Sequence, residues 1–194
     1  MREAEAVIKM QKGDYSAFDE IFYLYKDKAV RTAYLITGNR FTSEDVVQEA
    51  FILCCSKIKT LKNPELFKPW FFKIVTRLSW KHSNSGKRVT PVENIFDKAE
   101  ENSENTLQSS FKAFEKEEYE ELYRCIDMLD KKSRITVILF YFNEFSIKEI
   151  SEIMGCFQGT VKSRLFNSRK KLKRFLNDFS KECENDEILK YVRP

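Results

Sequence analysis

A single histidine and the lack of any C-x-x-C pair among five cysteines (Cys54, Cys55, Cys125, Cys156, Cys183) leave a zinc site without ligands. The cysteines read as reduced core or surface thiols, and no metal or cofactor is expected. No uninterrupted apolar run approaches the roughly 20 residues that span a bilayer, and no apolar segment precedes the polar start at Met1 to Met10. The expectation is a cytoplasmic chain that inserts in no membrane. Carboxylates are abundant, but they sit in solvated runs with no paired histidine or cysteine and no Gly-rich phosphate loop nearby, so the pattern does not point to an enzyme. No repeat of fixed period and no sustained β alternation occur, which leaves an all-α reading.

What is there is charge, unevenly placed. Net charge is only +4, but Lys57 to Arg88 holds nine Lys/Arg against the single acid Glu65, and Lys162 to Arg174 holds seven and no acid. Between them, Asp97 to Glu121 carries nine acids and three lysines. Two basic blocks across an acidic connector suggest two modules facing a polyanion, with the connector repelled from the same surface; two ordinary solvated faces are the alternative. With 42% hydrophobic residues in 194, either one mid-sized domain or two small ones will bury a core.

Helical spacing organises the first half. After Gly13-Asp14, Phe18, Ile21, Phe22, Tyr25, Ala29, Ala33 and Ile36 recur on one side until Gly38-Asn39 stops them. A second helix is expected from Thr42 or Ser43. It turns Val46, Val47, Ala50, Leu53 and Cys54 one way and Asp45, Gln48, Glu49 and Ile52 the other, a face suited to a partner. Asn63-Pro64 reads as a break, and Pro69 suits the first turn of a third helix, Pro69 to about Lys81, with Phe71, Ile74, Val75 and Leu78 inward. On its other edge Lys73, Arg77, Trp80 and Asn84 form one stripe. There the cations would hold phosphates and the indole would either stack on an unpaired base or pack on a neighbouring helix. Ser83 to about Ser110 loses periodicity and reads as a flexible linker.

The second half carries the sharpest motif. After a charged helix from about Phe111 to Met128, the run Ile135, Val137, Ile138, Leu139, Tyr141 and Phe142 predicts a helix buried on more than one side. Ser146-Ile147-Lys148-Glu149 has the form of a capping box opening a short helix, Gly155 supplies a turn, and Gln158-Gly159-Thr160 opens another helix. Val161, Leu165, Ser168 and Leu172 form the inner stripe of that last helix. Outward lie Thr160, Ser163, Phe166 and Asn167 as candidate base readers, with Lys162, Arg164, Arg169 and Lys170 as mainly phosphate-positioning groups. This is the pattern of a helix-turn-helix whose second helix enters a major groove.

These residues resemble the sigma-70 family of bacterial RNA polymerase sigma factors, in its short extracytoplasmic-function (ECF) group. Gly159 to Leu165 followed by Arg169-Lys170-Lys171-Leu172 is similar to the family's region 4 signature, and Asp45 to Phe51 to its region 2 signature. The resemblance implies a region 2 domain over residues 1–85, a linker over 86–112, a region 4 helix-turn-helix domain over 113–178 and a tail over 179–194. Region 2 would bind the clamp helices of the polymerase beta-prime subunit through Asp45, Gln48, Glu49 and Ile52 and capture the melted -10 element; region 4 would bind the -35 element and the beta flap, with Lys162, Ser163 and Phe166 on DNA. The loop Leu61 to Phe67 corresponds to the one that receives a flipped base, making Lys62, Asn63 and Phe67 candidates beside Lys73, Arg77 and Trp80. An anti-sigma factor is implied as a partner, of the kind a membrane protein with a short cytosolic helical segment would supply, and no homo-oligomer is required. Arg77 and Lys81 depart from the Asn and Asp often found at those positions, which predicts stronger phosphate contacts and steeper salt dependence.

A stand-alone helix-turn-helix regulator, with residues 1–100 sensing a ligand or dimerising, is the competing reading. The Asp45-Gln48-Glu49 face has no evident use in such a protein.

Overall fold

The computed structural model describes residues 3–85 and 120–180. The expected linker over 86–112, the start of the helix expected from Phe111, Cys183 and nearly all of the expected tail lie outside them. All regular elements among the described residues are helical, and the chain divides into two compact units, Met1–Lys112 and Ala113–Pro194.

The first unit contains α1 (Glu3–Gln11), α2 (Phe18–Thr37), α3 (Arg40–Lys57) and α4 (Phe67–Ser85), with short 3-10 turns between α1 and α2 and between α3 and α4. Gly38, at φ 70, takes the left-handed conformation that ends α2, and its N–H bonds back to the Tyr34 carbonyl. Extended Asn39 then caps α3 by accepting from the Thr42 amide at 2.8 Å. α3 therefore starts at Arg40, not at Thr42 or Ser43.

Helices α2, α3 and α4 pack on one another around an aromatic cluster. Phe71 lies 4.8 Å from Phe51 and 5.7 Å from Phe67, and Tyr25 lies 5.5 Å from Phe67, all four rings being buried. Such pairs each add about 0.5–1.5 kcal/mol beyond the area they bury. Helix α1, which the periodicity does not reveal, buries Ala6, Val7 and Met10. It also holds the far loop, since Gln11 Nε2 donates to the Ile58 carbonyl at 3.0 Å and the Leu61 carbonyl at 2.7 Å. Burial, followed by a hydrogen bond to Glu3 of α1, pushes the Tyr25 phenol far above its ordinary pKa.

The second unit contains α5 (Glu120–Asp127), α6 (Lys131–Val137), a π turn at Ile138–Phe142, α7 (Ile147–Met154) and α8 (Gln158–Ser180). Buried Arg134 closes the α5–α6 corner. Its Nε donates to the Ile126 carbonyl at 3.2 Å, Nη2 to the Leu129 carbonyl at 3.1 Å and to the Asp127 carbonyl, and Nη1 pairs with the Asp127 carboxylate at 2.8 Å. Asp130 caps α6 through the Ser133 amide. The expected apolar run is buried at Ile135, Val137, Ile138 and Leu139, but the π turn carries Tyr141 to the surface and leaves Phe142 half-buried.

Candidate nucleic-acid and protein interfaces

The helix-turn-helix is built as the sequence predicts. Ser146 Oγ accepts from the Glu149 amide at 3.3 Å while the Glu149 carboxylate accepts from the Ser146 amide at 2.8 Å, so both halves of the capping box are made. Ile150 and Ile153 of α7 point inward, and Gly155, at φ 62, makes the turn. On α8 the stripe Val161, Leu165, Ser168 and Leu172 is buried throughout, at 4% exposure or less. Burying that stripe turns the opposite face outward, and Ser163, Phe166 and Asn167 are exposed there, with Phe166 at 70%. Thr160 is half-buried at the start of the helix.

The flanking cations differ among themselves. Lys162 and Lys170 are exposed. Arg164 leans back over the turn, with Nη1 3.9 Å from Met154 Sδ and 3.7 Å from Cys156 Sγ. Arg169 reaches across to the π turn, where its Nε donates to the Tyr141 hydroxyl at 2.6 Å. A cleft of about 350 Å³ has Asp130 and Ser133 on one side and Arg164, Asn167, Lys170, Lys171 and Arg174 on the other. Burial raises the Asp130 pKa, but hydrogen bonds from Ser133 and Lys132 and the charge of Lys171 outweigh it, leaving the group below its ordinary value. Sequence reading missed Phe157, which is 87% exposed at the turn into α8; an aromatic just before the Gln158 start was the available signal.

In the first unit, α3 buries Val46, Val47, Ala50 and Cys54, while Leu53, expected with them, is half-buried. Asp45 and Gln48 are exposed beside Ile52 at 69%. Phe41, 71% exposed and four residues before Asp45, extends that stripe by one turn; it was missed because the helix was expected to begin after it. Half-buried Glu49 faces α4, its carboxylate 3.3 Å from His82 Nε2.

The loop before α4 exposes Lys62 and Asn63, and Asn63 Oδ1 accepts from the Glu65 amide at 3.1 Å, opening the 3-10 turn Pro64–Leu66. Phe67 is not a surface group of this loop. α4 begins at Phe67 rather than Pro69, which puts its ring one turn from Phe71 on the inner face at 0% exposure; the exposed apolar group here is Leu66. On α4, Arg77 is exposed, Lys73 is half-buried, and the side chain of Asn84 lies outside the described set. Trp80 is half-buried too, next to fully buried Ser79. Ile74, expected inward, is half-buried, and Phe72 takes a core place instead.

Two basic helical surfaces and one acidic-apolar stripe are thus displayed on separate helices. Among the described residues no group of three or more His, Cys, Asp or Glu is placed to hold a metal, and no helix is long and apolar enough to cross a membrane.

Residues 21–89 match the family model for sigma-70 region 2 and residues 119–172 the model for sigma-70 region 4, together more than half of the chain. The ECF RNA polymerase sigma factor SigW of Bacillus subtilis is 29% identical over 177 residues, covering 88% of this chain and 94% of its own. The ECF RNA polymerase sigma-E factor of Escherichia coli is 28% identical over 171 residues, covering 84% and 88%. Among solved structures, CnrH, in complex with the cytosolic domain of CnrY, aligns with a TM-score of 0.68 at 16% identity, over 91% of this chain and 97% of that one. The Bartonella quintana sigma factor RpoE, solved with the anti-sigma factor NepR, aligns with a TM-score of 0.63 at 21% identity, over 82% and 96%. At those identities the structural likeness speaks for the fold. With both region models matched in order and relatives of the same group aligned along most of its length, the chain belongs to the sigma-70 family of RNA polymerase sigma factors, in the ECF group.

Proposed function

We propose that this ECF sigma factor uses residues 1–85 as a polymerase-binding and -10 domain and residues 113–178 as a -35 domain, with 86–112 as linker and 179–194 as tail. As an ECF sigma factor it binds core polymerase, recognises -10 and -35 promoter elements and starts transcription of a specific regulon. The observation that carries the residue assignment is the outward face of α8, whose opposite stripe is fully buried. Ser163, Phe166 and Asn167 suit the major-groove edges of bases, Thr160 the first turn, and Lys162, Arg164, Arg169 and Lys170 the flanking phosphates.

On α3, exposed Asp45, Gln48 and Ile52, with Phe41 above them and Glu49 at the edge, suit the clamp helices of the beta-prime subunit. A stripe with apolar ends and a polar centre offers buried area and directional hydrogen bonds to another helix pair. Lys62 and Asn63 of the loop, with Lys73, Arg77 and Trp80 of α4, take the melted -10 strand. Phe67 supports that loop from within. The second unit also meets the beta flap. An anti-sigma factor, membrane-anchored or free, holds the chain inactive by covering these faces, a reading supported by the anti-sigma partner of the Bartonella quintana relative. The site of action is the cytoplasm.

The test is co-elution with core polymerase followed by run-off transcription. The double variant Gln48→Ala, Glu49→Ala should keep its helical circular dichroism and lose both core binding and transcription. Undiminished core affinity would remove the α3 face from the interface.

A further inference from the structure

We propose that Tyr141 is a positioning residue for promoter binding: its hydroxyl holds Arg169 so that the outer edge of the guanidinium meets a DNA phosphate beside the -35 element. The inference rests on the reading of α8 as the -35 helix. Arg169 follows exposed Lys162 and Phe166 along one edge of α8 and precedes exposed Lys173, at spacings of i, i+4, i+7 and i+11. Residues flanking a helix seated in the major groove face the walls of that groove, which are phosphate.

A long cation on such an edge ordinarily samples many rotamers, and ordering it on binding costs conformational entropy. Here the ordering is already made. Arg169 Nε donates to the Tyr141 hydroxyl at 2.6 Å, and the guanidinium carbon lies 5.7 Å from the Tyr141 ring centre and 5.9 Å from that of Phe140. A guanidinium has five N–H donors. With Nε committed to the phenol, the four Nη hydrogens form the fork that matches two phosphate oxygens. The phenol is placed by an irregular segment, the π turn Ile138–Phe142 followed two residues later by Glu144 at the left-handed φ of 59. A regular α-turn would set the ring elsewhere on the helix, and π turns recur at functional sites for this kind of reason.

Holoenzymes of the full chain with core polymerase are compared on a promoter duplex recovered from a randomised library by the unmodified holoenzyme, at several salt concentrations. Arg169→Ala should weaken binding about tenfold on every sequence tested and lower the salt slope by about 1, the signature of one lost phosphate contact. Tyr141→Phe, which keeps the ring and removes one oxygen, should weaken binding about threefold without altering base preference. It should have no effect when Arg169 is already alanine. Full binding by Tyr141→Phe, or an equal loss in the Arg169→Ala background, would overturn the positioning role. Unchanged affinity and slope in Arg169→Ala would instead show that this edge of α8 does not face phosphate, a failure of the underlying reading. Thermal melts of each variant separate these outcomes from loss of fold.

Discussion

Replacing Arg134 with methionine should strongly destabilise the second unit while leaving the stability of the first unchanged. Arg134 is 2% exposed and supplies donors to the carbonyls of Ile126, Asp127 and Leu129 at the α5–α6 corner, besides its ion pair with Asp127. Methionine retains the apolar stem and removes every donor. Each buried acceptor left without a partner costs about 1–3 kcal/mol, whereas the ion pair adds little because the Asp127 carboxylate reaches solvent. With two of the three carbonyls buried and the third partly so, about 3–4 kcal/mol is expected. A unit of roughly sixty described residues has a total stability of about 3–9 kcal/mol, so much of it disappears. Asp127→Asn should cost under about 1 kcal/mol, because that carboxylate is 36% exposed and screened. Both tryptophans, Trp70 and Trp80, lie in the first unit. In a urea titration, far-ultraviolet circular dichroism should therefore lose its second-unit component at low urea, while the tryptophan transition keeps its midpoint. An unmoved dichroism curve would refute the assigned role of Arg134; a tryptophan midpoint moving with it would show that the two units unfold as one.

Asp130 supplies a pH test. Its pKa is lower in the folded chain, so its contribution to stability is present above the unfolded value of about 4 and is lost as pH falls through the folded one. Asp130→Asn should flatten the acid limb of the second-unit melt below about pH 4 and leave the first-unit melt unchanged, as followed by dichroism and tryptophan fluorescence. Burial, and then the neighbouring Cys55, pushes the Cys54 thiol up to about 12. About one molecule in ten thousand then carries the thiolate at pH 8, so iodoacetamide should spare Cys54 in native protein and label it in urea, as peptide mass spectrometry would show.

Where local chemistry alone decides the backbone, the sequence was readable. Ser146 and Glu149 cap each other with no outside help, Gly38 stops α2 by its own left-handed conformation, and the α8 stripe follows from side-chain spacing. Residues whose place depends on a partner element were not. Three buried residues in α1, at i, i+1 and i+4, are too few to show a period, and the helix exists because Gln11 and Glu3 reach the loop and α2. Asn39, Thr42 and Ser43 can all cap a helix, and the choice of Asn39 follows from where Gly38 ends the previous one. The same two-residue difference hid Phe41 in the exposed stripe of α3. For Phe67, the 3-10 turn at Pro64 starts α4 early and so rotates the ring into the aromatic cluster. The π turn has no sequence signature of its own, so neither the surface position of Tyr141 nor its bond to Arg169 was open to periodicity.

Ser168 shows how far the α8 stripe constrains chemistry as well as shape. It is 1% exposed between Leu165 and Leu172, and its hydroxyl has no hydrogen-bond partner. A buried hydroxyl without a partner costs about 1–3 kcal/mol, and alanine removes the oxygen with little cavity while improving helix propensity. Ser168→Ala should therefore raise the stability of the second unit by about 1 kcal/mol, read as a higher urea midpoint in the dichroism of the Ala113–Pro194 component. Because the side chain faces away from Ser163 and Phe166, -35 base preference should not change. Ser168→Leu should do the opposite, since the extra volume forces α8 away from the helices beneath it and tilts the reading face, reducing promoter affinity along with stability. If alanine lowered the midpoint instead, the hydroxyl would have a partner in solution, and the stripe would owe part of its hold on the reading face to a hydrogen bond rather than to packing alone.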